Sequence, residues 1–254
     1  MILDCNATLG QWPFRRLRNC TPTDFARLMD DNGIAQAWVS PFEGIFYNVT
    51  QEANEGLAEE LLGLRDRLIQ LPVINPAYPG WEDDVEECRE LEAPGLRLYP
   101  SYHGYRLQDA HFLQLAQRCA ELGWFLQIVT RVQDERHQHH LARVQPVPVA
   151  DIVQVARDFA PLPVMVLNAA SGEVLGACEG GCPDNLYCDI SHVEGVGGVG
   201  DLSDRLGAGH VLFGTHAPLL IPESALLKMR EADLNGEDRE LIVRGNAIKI
   251  VQRS

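Results

Sequence analysis

Apolar runs of three to seven residues recur along the whole chain, and most are trailed by a helix-like stretch. This recurrence constrains the fold more than any other feature. The runs are Met1–Cys5, Ala35–Ser40, Leu68–Ile74, Gly95–Tyr99, Trp124–Val129, Val164–Leu167, Leu186–Ile190 and Val211–Phe213. Several are nearly continuous in Val, Ile and Leu, the pattern of parallel strands covered on the outside by helices. Helix starts stand between them. Thr21-Pro22-Thr23-Asp24 supplies an N-cap, a proline at the first turn and an acid three residues after the cap, and Gly33 stands where a left-handed cap belongs. Thr50 and Asp109 open further helices, and Pro148 to Phe159, Ser171 to Cys178, Gly197 to Leu206 and Pro222 to Ala232 read as crossovers. Glu237 to Val251 reads as a terminal helix broken near Gly245-Asn246. Eight such alternations predict an α/β fold closed into a single (β/α)8 TIM barrel over residues 1–254. An open doubly wound sheet is the other arrangement, but no GxGxxG or GxxxxGK[ST] supports it.

The formal net charge of −15 comes without any Lys/Arg-rich run, which sets nucleic acid aside as a partner. No apolar run is long enough to span a bilayer, so a membrane is not expected either. The start, Met1-Ile-Leu-Asp-Cys, has neither the basic nor the apolar segment of a secretory signal. Seven scattered cysteines suggest reduced thiols, and the expected location is the cytoplasm.

In a (β/α) barrel, chemistry sits at the C-terminal ends of the strands. Here those ends read Asp4-Cys5-Asn6-Ala7-Thr8-Leu9-Gly10 after the first run and Phe213-Gly214-Thr215-His216-Ala217-Pro218 after the eighth. Gly95-Leu96-Arg97-Leu98-Tyr99-Pro100 marks the fourth, and Gly245-Asn246-Ala247 lies in the last helix. In this order and spacing the segments resemble the amidohydrolase-related (amidohydrolase 2) branch of the metal-dependent hydrolases, over essentially the full length. The resemblance implies a hydrolase or related lyase acting on a small carboxylated or carbonyl substrate, commonly with a divalent metal. It also implies a small-molecule ligand as partner and leaves a homo-oligomer open.

The departures from that pattern bear on the chemistry. The family's first-strand histidines fall on Asn6 and Thr8, the fifth-strand histidine on Val129 or Thr130, the sixth on Asn168, and the eighth-strand aspartate on His216. A catalytic zinc needs about three ligands from His, Asp, Glu or Cys, and amides, hydroxyls and valine do not supply them. No metal ligands are therefore assigned; a sparse zinc site built on His216 is the one form a cofactor would take. His216 and Asp189 are the expected catalytic residues, with His192 beside them, and Asn6, Thr8, Arg97, Arg131 and Asn168 the expected substrate-binding residues. Each has a plainer alternative: His216 as a satisfied buried histidine, Arg97 as an inward arginine paired to Asp4. A catalytically silent relative that binds a small molecule or a protein is the other functional class.

Three further groups stand out. Thr130 to Pro148 is irregular and long enough for a lid, and carries Arg131, Asp134, Glu135, Arg136, His137, His139 and His140 as loop charges, ion pairs or a metal cluster. Cys178-x3-Cys182, with Cys188 close behind, reads as incidental thiols more readily than as a zinc site, and Cys5 as core. Trp12-Pro13-Phe14 forms an aromatic loop after the first strand.

Overall fold

The structure, a computed structural model, describes residues 1–253. Its parallel strands are β1 (Ile2–Leu9), β2 (Ile34–Pro41), β3 (Leu68–Gln70), β4 (Gly95–Leu98), β5 (Phe125–Val129), β6 (Val164–Leu167), β7 (Leu186–Asp189) and β8 (Val211–Leu212). They form two ladders, β1-β2-β3 and β4-β5-β6-β7-β8. Backbone hydrogen bonds join the ladders at both edges. Beyond β3, Arg97 N donates to Pro72 O at 2.9 Å and Val73 pairs with Arg97. Beyond β8, Cys5 N donates to Phe213 O at 2.9 Å, Thr8 N donates to Ala217 O at 3.0 Å, and Ala7 pairs with Ala217. The eight strands therefore close into the expected barrel. The regular part of β3 is shorter than its apolar run because Pro72 has no N–H to give the ladder.

The helices are α1 (Pro22–Asn32), α2 (Gln51–Glu60), α3 (Trp81–Glu90), α4 (Pro100–His103), α5 (Ala110–Leu122), α6 (Val149–Asp158), α7 (Ser171–Ala177), α8 (Gly198–Leu206), α9 (Pro222–Glu231), α10 (Gly236–Glu240) and α11 (Asn246–Arg253). Thr21 caps α1 by accepting from Asp24 N at 3.3 Å, and Gly33 ends it at φ 66°. The sequence reading had no place for α3. Its buried stripe is only Trp81, Val85 and Cys88, set among acidic residues. The expected break near Gly245-Asn246 is a π-turn over Leu241–Gly245 that keeps the helix continuous. That turn offers Ile242 O to Phe213 N at 2.9 Å. Asn246 Nδ2 then donates to Ala208 O at 2.7 Å and Val211 O at 2.8 Å, fixing the last helix against β8. No helix among the described residues is long and apolar enough to cross a membrane.

Apolar packing forms an outer shell between strands and helices and an inner column inside the barrel. The column holds Leu3, Cys5, Trp38, Phe125, Met165, Tyr187 and Leu212, with Trp38 stacked on Phe125 at 4.8 Å between centroids. Gly95 makes room for it, since a Cβ there would lie 2.4 Å from Phe125 O. The same column continues up through Tyr99, Val129 and Leu167 to the loop residues Trp12, Phe42, Ile45, Val132 and Leu219.

Asp4 closes the β8–β1 edge. It accepts from Asn6 N and Thr215 N at 3.0 Å each and from Thr215 Oγ1 at 2.5 Å. Burial pushes its carboxyl up to about 6, against the pull of these hydrogen bonds and of Arg97. Thr215 Oγ1 in turn accepts from Ala217 N at 3.0 Å. Replacing Thr215 by the isosteric valine removes a donor to a buried carboxyl and an acceptor for a backbone N–H. The expected loss is about 2 kcal/mol of stability, read from urea denaturation.

Candidate functional site

The ends of β1, β5, β6, β7 and β8 bring Asn6, Arg131, Asn168, Asp189 and His216 to one mouth. Asn6 and Thr8 lie within β1 rather than after it, because the strand runs on to Leu9. Asn168 (φ 61°) and His216 (φ 56°) both adopt the left-handed conformation just past their strands. Asparagine tolerates that region; a histidine there is held by its surroundings at a cost of about 1–3 kcal/mol. Here His216 N donates to Asn6 O at 2.7 Å, and its carbonyl accepts from Leu220 N at 3.1 Å.

The polar ends bond to one another. Asn6 Nδ2 donates both to Asn168 Oδ1 at 2.7 Å and to Asp189 Oδ2 at 2.9 Å. Asp189 Oδ1 accepts from Asn168 N at 2.8 Å, and Oδ2 also accepts from Ser191 N at 3.2 Å. Ser191 Oγ donates to Asn168 Oδ1 at 2.9 Å and lies 3.1 Å from His192 Nδ1. Asn168 Nδ2 donates to Arg131 O at 2.7 Å. Gly214 lets this cluster close, since a Cβ there would lie 2.6 Å from Asp189 Oδ2.

His216 stands beside the cluster. Its Nε2 donates to Val132 O at 2.8 Å, which fixes the tautomer and leaves Nδ1 as a lone pair. That Nδ1 is buried and has no hydrogen-bond partner. Burial first, and then the neighbouring His192 ring 5.5 Å away, push the imidazole down to about 3, so it stays neutral across the physiological range. Lys228, on α9, donates to Ile190 O at 3.1 Å and Ser191 O at 2.6 Å, which holds the chain between Asp189 and His192.

The two arginines part company. Arg97 is fully buried and crosses the barrel interior. Its Nε donates to Gln127 Oε1 at 2.7 Å, Nη1 to Ala7 O at 2.6 Å and Thr8 Oγ1 at 3.4 Å, and Nη2 to Cys5 O at 3.1 Å and Trp38 O at 3.4 Å. These acceptors match the five N–H groups of a guanidinium, so neither a ligand nor Asp4 is its hydrogen-bond partner. Thr8 is engaged with it. Arg131 instead reaches the rim. It forks onto Glu173 with Nη1–Oε2 at 2.9 Å and Nη2–Oε1 at 2.5 Å, while its buried Nε has no partner.

Aromatic loops cover the mouth. Trp12 packs on Phe42 at 5.5 Å and Phe46 at 5.4 Å, and Phe14 stacks on His139 at 4.6 Å. The indole Nε1 of Trp12 is buried and unpartnered. Beneath this cover Asn6, Thr8, Asn168, Asp189 and His216 are only 1–4% exposed. The mouth is shut.

The remaining sequence candidates resolve as follows. Asp134 clamps Arg136 at 2.9 and 2.7 Å, and these bonds hold its carboxyl far below the usual carboxylate range. The ion pair thus lies within the Asp134–His140 segment, and the stacking of His139 on Phe14 is what packs that segment against the aromatic loop. Cys5 is buried, which raises its thiol well above the ordinary value. Among the described residues no three His, Cys, Asp or Glu side chains group to hold a metal ion. The sequence reading passed over Ser191, Glu173 and Lys228, and quoted Gly214 in the eighth-strand motif without a role. Direct flanking of strand-end polar residues was the available signal for Ser191 and Gly214.

A family model described as amidohydrolase matches residues 9–253. Among solved structures, a dihydroxybenzoic acid decarboxylase from Polaromonas sp. JS666, with bound manganese and the inhibitor 2-nitroresorcinol, is 15% identical at a TM-score of 0.78, covering 99% of this chain and 96% of that one. The 2,6-dihydroxybenzoate decarboxylase from Rhizobium is 15% identical at a TM-score of 0.76, covering 99% and 98%. The 5-carboxyvanillate decarboxylase from Sphingomonas paucimobilis is 14% identical at a TM-score of 0.74, again covering 99% and 98%. No curated protein sequence matches the chain. At these identities the neighbours speak for the fold.

Two measurements test the geometry. Replacing Arg97 by methionine leaves several interior acceptors unmet and should cost about 3–5 kcal/mol, with Arg97→Lys recovering only part, read from denaturant unfolding. For His216, the folded value of about 3 lies below the ordinary 6.5, so the unfolded chain binds the extra proton between them. Its contribution is then present above pH 6.5 and lost as pH falls toward 3. Asparagine tolerates the same backbone conformation, so wild type should lose about 3 kcal/mol relative to His216→Asn between pH 7 and pH 4. Parallel stability profiles for the two proteins would refute the burial argument.

Proposed function

Because the chain belongs to the amidohydrolase family, we propose that it is a metal-free member whose single barrel domain, residues 1–254, holds a small carboxylated or carbonyl-bearing molecule at its mouth as a binding module. One observation carries this reading: Asn6 Nδ2 donates to Asn168 Oδ1 at 2.7 Å and to Asp189 Oδ2 at 2.9 Å. An amide NH₂ thus satisfies the oxygens that a divalent cation would draw on. The rest of the donor set fits a metal no better. Val129 has nothing to donate, Thr8 is engaged with Arg97, and both Asp189 oxygens accept from other groups. Only His216 Nδ1 remains free.

The carboxylate in the proposed ligand rests on Arg131. Its guanidinium already grips Glu173 bidentately, the geometry that recognises a carboxylate, and keeps an unpartnered Nε. The unpartnered Trp12 Nε1 is a second donor in the mouth cover, and His216 Nδ1 an acceptor for a ligand hydroxyl. Entry requires the aromatic cover to move. Sealing by Trp12, Phe42 and Val132, together with a His216 that does not take up a proton in the shut state, favours binding over turnover.

The second reading is a hydrolase or lyase for the same ligand class, with His216 and Asp189 as acid–base residues. The unoccupied Nδ1 and the strained backbone at His216 favour it, since such strain concentrates at reactive sites. In both readings the bound molecule meets Asn6, Thr8 and Asn168 at the floor of the mouth.

Elemental analysis of the protein after equilibration with manganese and zinc should find far less than one ion per chain, unchanged by His216→Ala. Thermal shift with 2,6-dihydroxybenzoate and other small aryl carboxylates should raise the melting temperature, and Arg131→Ala should abolish the shift. Stoichiometric metal that His216→Ala removes would overturn the proposal. Carbon dioxide release from the same compounds, lost in His216→Asn, would select the second reading instead.

A further inference from the structure

We propose that Cys178 and Cys182 form a reactive dithiol that closes to an intrachain disulfide by exchange with a low-molecular-weight disulfide, on the barrel face opposite the mouth. This does not depend on the function proposed above. The pair lies in the connection that leads into β7 at Leu186, and so at the N-terminal ends of the strands.

Four of the seven cysteines, Cys5, Cys88, Cys119 and Cys188, are buried, and burial raises the thiols of all four. Cys178 and Cys182 are both half-buried. The chain brings them together by a specific turn. Cys178 ends α7, donating its N–H to Val174 O at 3.0 Å, and Gly181 N donates back to Cys178 O at 2.9 Å. Gly181 sits at φ 105°, a conformation that other residues rarely adopt, and this reverses the chain so that the Cys182 thiol, 3.7 Å from Pro183 O, comes beside that of Cys178. Arg157 Nη2 donates to Gly181 O at 3.1 Å, placing a guanidinium at the turn. His210 Nδ1 donates to Leu186 O at 2.8 Å and lies 3.5 Å from Cys182 Sγ, which sets the imidazole beside the second sulfur.

The arrangement separates the roles of the two thiols. The hydrogen bond from Cys182, and then Arg157, hold the Cys178 thiol down to about 7, while Cys182 is pushed up by the same hydrogen bond and by burial. Cys178 is therefore the attacking thiolate and Cys182 the resolving thiol. A cleft of about 580 Å³ lined by Arg157, Pro161, Pro183 and Asp184 opens next to the residue after Cys182. A structural zinc is the rival use of such a pair, but the neighbouring His210 Nδ1 is engaged with Leu186 O, and among the described residues no three His, Cys, Asp or Glu side chains are grouped to hold a metal ion.

The exchange balances. Cys178 thiolate attacks one sulfur of RS–SR; the Cys178–SR bond forms, the S–S bond breaks, and RS⁻ leaves and takes a proton from solvent. Cys182 then gives its proton to solvent and attacks Cys178 Sγ, expelling a second RS⁻. Two protein thiols are oxidised and one disulfide is reduced to two thiols.

The test equilibrates the reduced, full-length protein with oxidised glutathione, quenches with iodoacetamide and maps the peptides. The expected result is loss of alkylation at both Cys178 and Cys182, with a peptide linked between them, while the buried cysteines stay reduced. Cys182→Ser should trap glutathione on Cys178, and Cys178→Ser should prevent the linkage. Full alkylation of both residues after oxidation, or a linkage mapping to another pair, overturns the proposal. The wild-type readout stands whether or not the variants fold.

Discussion

The buried guanidinium of Arg97 is the interaction on which the rest of the barrel depends. It springs from β4 and donates to carbonyls of β1 and β2 and to the Gln127 side chain of β5, so one side chain links strands on both sides of the barrel. A charge removed from water is tolerated only when its hydrogen bonds are complete. Completing them with backbone carbonyls fixes where those strands stand relative to one another, and hence where their ends arrive. Gln127 extends the same logic, with Nε2 donating to Cys5 O at 2.8 Å. The positions of Asn6 and Thr8 at the mouth follow from this buried polar floor as much as from the apolar column around it.

That floor also shapes the electrostatics above it. Arg97 lowers the carboxyl of Asp4 and the imidazole of His216, which means that it repels a second positive charge at either place. A divalent cation at the mouth would meet this repulsion with Asp189 as the one nearby carboxylate, already holding three hydrogen bonds. The Asn6 amide brings the same kind of donor without a full charge. An amide at the mouth and an arginine in the interior are therefore compatible neighbours.

Much of the architecture was legible in the sequence because apolar runs mark strands that are buried on both faces. All eight runs became strands or their immediate continuations. The reading stopped short where polar residues point into a barrel: β1 continues through Asn6 and Thr8 to Leu9, although its apolar run ends at Cys5. It missed α3, whose apolar stripe is too thin among acids to stand out, and it read a π-turn as a break. For the site, the strand-end residues were identifiable by position, but their mutual bonding was not. Whether Asn6 Nδ2 faces Asn168 and Asp189 depends on where β6 and β7 end in space, and the close approach at Gly214 decides that. Arg97 and Arg131 looked alike in sequence. One is fully buried among carbonyls and the other reaches the rim, a difference set by whether each lies within a strand or past its end.

The two buried titrating groups nearest the floor work against each other. Asp4 binds its proton more tightly in the fold than in the free chain, so its contribution weakens as pH rises from 3.8 toward about 6. His216 binds its proton less tightly in the fold, so its contribution strengthens as pH rises from about 3 toward 6.5. Over the shared interval the two slopes have opposite sign and offset one another. A site sealed from water, with one carboxyl and one imidazole both leaning toward neutrality, can thus remain intact through mild acidification. His216, neutral through this range, brings no charge that must be desolvated under the aromatic cover, while the charge Asp4 carries above pH 6 is met by the hydrogen bonds from Asn6 N, Thr215 N and Thr215 Oγ1. Opening the cover to a carboxylated ligand would change that balance, because an anion beside His216 raises its affinity for a proton. Under the proposed function, ligand binding and proton uptake at His216 would then be linked, and occupancy of the mouth, rather than pH alone, would govern the charge that His216 carries.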